Sequence, residues 1–177
     1  MRKLYKNIIT EQEADDLSDI IEEFGRLDGQ TRLCDSRTAS PGITFSNDIV
    51  FRMCSEIKQD LPKIKLSEPS YVRLERKGKG HPPHFDGCLA QDGKLVGNHM
   101  AWCRHTASIL LTSPASFRGG SFKFLTDPKE TYKKDHYLNL LVYSSATDND
   151  PQEHLVDPHT EGDRVVLLMF FAEEGRV

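Results

Sequence analysis

The sequence predicts a mainly β fold of α+β type, a β-sandwich or open barrel buttressed by N-terminal helices. Three observations lead there. Two amphipathic helical patterns come first, five short runs of strand character follow, and clusters of Gly, Pro, Asp and Asn separate those runs.

The first helix opens at Thr10-Glu11-Gln12-Glu13, which has capping-box spacing: the Thr hydroxyl and the Glu carboxylate satisfy each other's free backbone N–H groups. Ala14, Leu17, Ile20, Ile21 and Phe24 then recur on one helical face, and Gly25 offers a stop. A second helix is expected after Ser46-Asn47, with Val50, Met53, Cys54, Ile57 and Leu61 as its apolar stripe. Pro62 ends it, because proline has no N–H to continue the ladder.

Beyond Pro62, strands are expected at Tyr71–Glu75, Thr106–Thr112, Ser121–Leu125, Tyr137–Tyr143 and Arg164–Phe171. The last run contains VVLLMFF, apolar at every position, so both of its faces should be covered. Residues 87–103 show little apolar periodicity and read as a long lid or binding loop. The whole chain, 177 residues, reads as a single domain, with helical support over 1–62 and a β core over 63–177.

Composition narrows the partners. Hydrophobic residues make up 37% and the formal net charge is -4, so the overall field should attract neither nucleic acid nor an anionic membrane. The N-terminal stretch has no apolar run of signal-peptide type, and no segment reaches the length of a membrane span. Cys34, Cys54, Cys88 and Cys103 are scattered and read as reduced, buried thiols, so a cytoplasmic protein is expected. The sequence does not specify an oligomeric state.

The chemistry is concentrated in two segments. In His84-Phe85-Asp86, residues two apart on an extended chain project to one side, so imidazole and carboxylate can converge on one point. One further ligand completes a facial triad that leaves coordination positions open, an arrangement suited to Fe(II). The second segment runs from His154 to Arg164, where a His precedes Pro158 and Gly162, and an Arg opens the last apolar strand. If Arg164 points inward, Val166, Leu168 and Phe170 do so too. A guanidinium entering an apolar barrel needs an anionic partner, and the distal carboxylate of 2-oxoglutarate would serve.

These motifs resemble the prolyl 4-hydroxylase-type branch of the 2-oxoglutarate- and Fe(II)-dependent oxygenases. That signature is H-x-D followed by H-x-x-x-P-x-x-x-G-x-K/R, matched here by His84, Asp86, His154, Pro158, Gly162 and Arg164. Gly78, the Arg118–Phe124 segment with its Gly119-Gly120 pair, Ile9–Phe24 and the Arg37–Ser40 stretch extend the likeness. The chain departs from the family pattern at His81 and Thr112, where Tyr is common, and at Ser121, where an acid is usual.

The resemblance implies a double-stranded β-helix, a jelly-roll or cupin-like core. It also implies Fe(II) held by His84, Asp86 and His154, with 2-oxoglutarate and O2 as co-substrates, and it extends to ascorbate as a reductant. Arg164 would bind the co-substrate's distal carboxylate with help from Thr112, and His81, Trp102 and Arg104 would meet the substrate. The implied reaction is hydroxylation of a peptidyl prolyl residue with release of succinate and CO2. A free amino acid, another small molecule or a nucleobase is the alternative substrate, and a non-catalytic binding module the alternative function.

Other readings stand beside these. A zinc site could use His81, His84, Asp86 and Cys88, although it lacks the usual ligand spacing. Arg73, Arg76, Lys77 and Lys79 read as a solvated hairpin, or else as a rim for an acidic substrate. His99, His105, His136 and His159 read as surface or loop residues.

Overall fold

A capped helix and a short edge strand begin the chain in the computed structural model, which describes residues 1–29, 31–35, 43–76 and 78–175. The side chains of residues 43–47 and 68–70 are not among those described. The Arg37–Ser40 stretch and Lys77, both singled out above, lie outside the described residues. Strand β1 (Arg2–Tyr5) is followed by helix α1 (Glu11–Phe24), the hairpin β2 (Arg26–Asp28) and β3 (Thr31–Asp35), and helix α2 (Ile43–Asp60). Then come β4 (Ile64–Arg76), β5 (His81–His84), the hairpin β6 (Cys88–Gln91) and β7 (Lys94–Gly97), β8 (His105–Leu110) and β9 (Arg118–Gly119). The chain continues through β10 (Phe122–Phe124), β11 (Glu130–Tyr132), β12 (Leu140–Ser144), β13 (His154–Val156), β14 (His159–Glu161) and β15 (Asp163–Glu173).

The strands form two main antiparallel sheets. The major sheet has seven strands in the order β1-β12-β8-β15-β4-β3-β2, and the minor one has four in the order β11-β10-β13-β5. Phe122, Phe124 and Val156 of the minor sheet pack against Leu141 and Tyr143 of the major sheet. Both helices cover the opposite face of the major sheet. Ala14, Leu17 and Ile21 of α1 and Ile49, Met53 and Ile57 of α2 join Val72, Leu74, Val165, Leu167, Met169 and Phe171 in one core.

This arrangement explains the unbroken apolar run of β15. Val165, Leu167, Met169 and Phe171 face the helices, while the alternate residues Val166, Leu168 and Phe170 face the space between the sheets. A strand covered on both sides has no polar alternation to display.

Differences from the sequence reading have local causes. Residues 1–62 supply three strands as well as the helices: β1 pairs with β12, and the β2–β3 hairpin extends the sheet beyond β4. Phe24, expected on the buried stripe of α1, is 40% exposed at the helix end. The 87–103 segment contains the β6–β7 hairpin, turned at Asp92-Gly93 with φ values of 50° and 74°. Two successive left-handed residues suit the primed turn of a two-residue hairpin, and Asp-Gly is a pair that accepts it.

The capping box of α1 forms as expected. Glu13 N–H donates to the Thr10 hydroxyl at 3.2 Å, and Thr10 N–H donates to the Glu13 carboxylate at 2.9 Å. Glu13 also binds Arg52 of α2 at 2.8 Å, tying the two helices together. Thr10→Ala is expected to lower unfolding free energy by about 1 kcal/mol, read as an earlier urea midpoint at unchanged m-value.

Candidate metal centre and its pocket

Strand pairing sets the centre. β13 runs antiparallel to β5 with His154 opposite His84, so two imidazoles distant in sequence share one face of the minor sheet. Their ring centroids are 4.3 Å apart. Asp86 lies two residues beyond His84, on the same side of the extended chain. The ligand atoms of His84, Asp86 and His154 all lie within 4.8 Å of one another.

Hydrogen bonds orient each ligand. His84 Nδ1 lies 2.7 Å from the Pro82 carbonyl oxygen, and His154 Nδ1 lies 2.9 Å from that of Gln152. A carbonyl only accepts, so each Nδ1 carries a proton and each Nε2 is turned toward Asp86, that of His154 lying 3.3 Å from the Tyr143 hydroxyl. Those two Nε2 atoms are 3.7 and 3.8 Å from Asp86 Oδ1. The other carboxylate oxygen, Oδ2, accepts from the Thr106 hydroxyl at 2.7 Å and the Tyr143 hydroxyl at 3.0 Å. Ser145 lies behind Thr106, with the hydroxyls 2.8 Å apart.

Three potential ligand atoms, two imidazole Nε2 and one carboxylate oxygen, therefore meet at one point. That arrangement is ready to hold a cation. Burial pushes the His154 imidazole below its ordinary pKa, favouring the neutral form that binds metal. Burial and the neighbouring Asp86 charge push Tyr143 up, so it stays a protonated donor. Phe122 stacks on His154 at 5.0 Å with an interplanar angle of 19°, fixing the ring plane. The donor set of two imidazoles and one carboxylate suits a divalent transition ion such as Fe(II).

The three residues line a pocket of about 240 Å³ between the sheets. Its floor comes from β15, where Arg164, Val166, Leu168 and Phe170 all face inward, as the period-two reading requires. Arg164 is buried at 3% exposure, and its partner belongs to the chain itself. Its Nη1 donates to Glu75 Oε2 at 3.0 Å, and its Nε donates to the Gly120 carbonyl at 3.1 Å. Gly120 has φ of 65°, and a Cβ there would stand 2.9 Å from the Phe117 ring and 3.1 Å from Arg164 Cδ. Only glycine lets the backbone come so close to the guanidinium stem.

Glu75 binds more than Arg164. Its Oε1 lies 2.6 Å from His81 Nε2 and 3.6 Å from Arg73 Nη1. Burial would raise its pKa, but the His81 hydrogen bond and the Arg164 and Arg73 charges prevail and lower it to about 2. His136 is buried against the same region, and desolvation together with the Arg164 charge lowers it to about 3.

The remaining sequence candidates divide. His81 lines the pocket. Thr112 is not among the residues lining it, and its hydroxyl accepts the Val165 N–H at 3.1 Å, so it closes strand ends and does not meet Arg164's charge. Arg104 pairs with Asp148 and reaches Glu173 at 3.6 Å, away from both clefts. Trp102 lines a second cleft of about 420 Å³ with Tyr71, His99 and Met100, and that cleft shares Arg73, Leu168 and Phe170 with the first.

Cys88 is absent from the one such cluster found among the described residues, which leaves the zinc reading without its thiolate. Arg73 lines the pocket and does not belong to a solvated hairpin, while Arg76 is exposed. Of the four histidines read as surface or loop residues, His105, His136 and His159 are buried and His99 is exposed. Glu75, Thr106 and Tyr143 were not singled out for the site by the sequence. A tyrosine ending an apolar strand was the available signal for Tyr143, because a buried hydroxyl needs a partner.

No protein-family model and no curated protein matches the chain. Solved structures do. A 2OG-Fe(II) oxygenase-family oxidoreductase from Burkholderia pseudomallei superposes with a TM-score of 0.71 at 13% identity, over 97% of this chain and 84% of its own. The viral collagen prolyl hydroxylase of Paramecium Bursaria Chlorella virus-1, in complex with 2OG, gives 0.68 at 14% identity over 97% and 95%. HygX from Streptomyces hygroscopicus, with nickel and 2-oxoglutarate bound, gives 0.68 at 15% over 98% and 83%; a further structure of it holds hygromycin B. The chain thus has the double-stranded β-helix fold of these oxygenases.

Two outcomes are expected. Tyr143→Phe or Thr106→Val should weaken Mn(II) or Fe(II) binding by roughly tenfold to a hundredfold in calorimetric titration, because outer hydrogen bonds hold Asp86 in place. Stability should also depend on Glu75. Its folded pKa lies below its ordinary value of 4.5, so its contribution is present above that value and is lost as the pH falls toward about 2. Glu75→Gln should flatten that part of an acid-unfolding curve while lowering stability near neutral pH, where Arg164 loses its counter-charge.

Proposed function

We propose that this chain is an Fe(II)- and 2-oxoglutarate-dependent dioxygenase that hydroxylates a peptidyl prolyl residue. The observation carrying the reading is the convergence of two imidazoles and one carboxylate in a pocket that also holds a buried arginine. His84, Asp86 and His154 hold the ferrous ion, and the distal carboxylate of 2-oxoglutarate lies toward Arg164 and Arg73. Bound together, iron and 2-oxoglutarate supply O2-dependent hydroxylation with release of succinate and CO2.

The protein's own residues orient and enclose. Thr106 and Tyr143 hold one oxygen of Asp86, which directs the other toward the ion. Pro82 and Gln152 carbonyls fix the imidazole tautomers. Phe122, Val156, Val166 and Leu168 form the apolar wall that restricts water. The second cleft is the approach for substrate, since it shares Arg73, Leu168 and Phe170 with the first.

A peptide substrate is supported by that cleft's lining. Tyr71, Trp102 and Phe170 present aromatic faces, to which a proline ring in extended peptide can pack at low entropic cost. The comparison with a collagen prolyl hydroxylase is consistent with the same substrate class. The test is succinate formation from 2-oxoglutarate by purified protein, with and without Fe(II). Activity should require Fe(II), fall to background in His154→Ala, and be stimulated by proline-containing peptides that gain the mass of one oxygen. Fe(II)-independent turnover, or full activity in His154→Ala, would refute the ligand assignment. Oxygen gain on a small molecule and on no peptide would replace the substrate class.

A further inference from the structure

The distal end of the pocket contains a carboxylate where a co-substrate carboxylate is expected to bind. Resting on the oxygenase reading, we propose that Glu75 is a resident rival for the distal carboxylate of the co-substrate, and that it sets both affinity and selectivity for 2-oxoglutarate. Glu75 and Arg164 are direct cross-strand partners on β4 and β15, so the pairing is built into the sheet register. Both side chains are almost fully buried, at 6% and 3% exposure, and the contact is 3.0 Å. Arg164 therefore carries a satisfied charge before any ligand arrives, with Nε also committed to the Gly120 carbonyl.

The cluster carries more positive than negative charge. Arg73 and Arg164 contribute two positive charges, and Glu75 contributes one negative charge. His81 Nε2 lies 2.6 Å from Glu75 Oε1 and 2.9 Å from Arg73 Nη1. That single nitrogen cannot donate to one and accept from the other at once. The carboxylate is the stronger partner, so His81 Nε2–H donates to Glu75 and leaves Arg73 poorly matched. Arg73 Nε is also buried without a hydrogen-bond partner among the described residues.

An incoming carboxylate thus finds an Arg73 whose ion pair with Glu75 is long, at 3.6 Å. It meets an Arg164 that Glu75 has already neutralised, and it must sit beside a fixed like charge. The attraction that a lone buried arginine would give a dicarboxylate is largely cancelled. A charge-assisted hydrogen bond of that kind is worth roughly tenfold or more in affinity. Selectivity for a 2-oxo acid with a distal carboxylate over one without should therefore be small in the natural chain and large once Glu75 is neutral.

The test is calorimetric titration of Mn(II)-loaded protein, without turnover, using 2-oxoglutarate and 2-oxobutanoate. The second compound keeps the 2-oxo acid head and lacks the distal carboxylate. In the natural chain the two dissociation constants should differ by less than about tenfold. In Glu75→Gln, 2-oxoglutarate should bind at least about tenfold more tightly, with 2-oxobutanoate changed less than about twofold. A natural chain that prefers 2-oxoglutarate by a hundredfold or more, or a folded Glu75→Gln that binds it no tighter, would overturn the assignment. The first of these measurements stands even if the variant fails to fold. Mn(II) binding with neither 2-oxo acid taken up would reject the oxygenase reading itself, an outcome distinct from equal binding of 2-oxoglutarate to both proteins.

Discussion

Antiparallel pairing of β13 with β5 puts His154 opposite His84, and the chemistry of this chain follows from that register. A slip of one residue would turn one imidazole to the other face of the minor sheet, because side chains alternate with a period of two. The register is protected on both sides. Phe122 and Phe124 of β10 pack beside His154 and Tyr143, and β10 itself pairs with β13, setting Phe124 opposite His154. The short strands of the minor sheet therefore gain their order from a compact aromatic cluster that also holds one ligand's ring plane. Metal site and inter-sheet core are the same packing problem seen from two sides.

Among the described residues, none from either helix lines the pocket. By covering the outer face of the major sheet, α1 and α2 leave its inner face free to carry polar and charged groups. β4 shows the division clearly: Val72 and Leu74 enter the helix-facing core, while Arg73 and Glu75 enter the pocket. β15 divides the same way, with Arg164 inward at its start. Two charged residues on one strand and one on its neighbour can share this face because Glu75 pairs with both arginines, at 3.0 Å to Arg164 and 3.6 Å to Arg73.

That division also explains what the sequence disclosed and what it withheld. His84, Asp86 and His154 were legible because a two-residue spacing and a downstream Pro–Gly–Arg pattern are local features. Inward pointing of Arg164 was legible from alternation along one strand. The capping box at Thr10 and Glu13 was legible for the same reason, its partners being three residues apart. Glu75 was not, because its significance lies in a cross-strand partner far away in the chain, and an alternating charged and apolar strand reads as half-solvated until the second sheet is known to cover it. Thr106 and Tyr143 were hidden likewise: each looks like an ordinary strand residue until β8 and β12 bring both hydroxyls to one oxygen of Asp86. Thr112 misled because alignment to a family pattern fixes a position along a strand but not the bond its hydroxyl prefers.

The pocket is chemically polar along its length. At one end, two imidazole nitrogens and a carboxylate oxygen seek a cation; at the other, two guanidinium groups outnumber one carboxylate. Between them stand Val166 and Leu168, which bring no charge to screen either end. A ligand that satisfies both ends must chelate a metal with one part and carry negative charge at the other, which is the description of a 2-oxo dicarboxylate. Yet the anion-seeking end is already half answered by Glu75, and His81 holds that carboxylate in place. The excess positive charge lies toward Arg73, whose side chain also lines the second cleft. Charge imbalance in the first pocket is thereby shared with whatever occupies that cleft, because one guanidinium lines both.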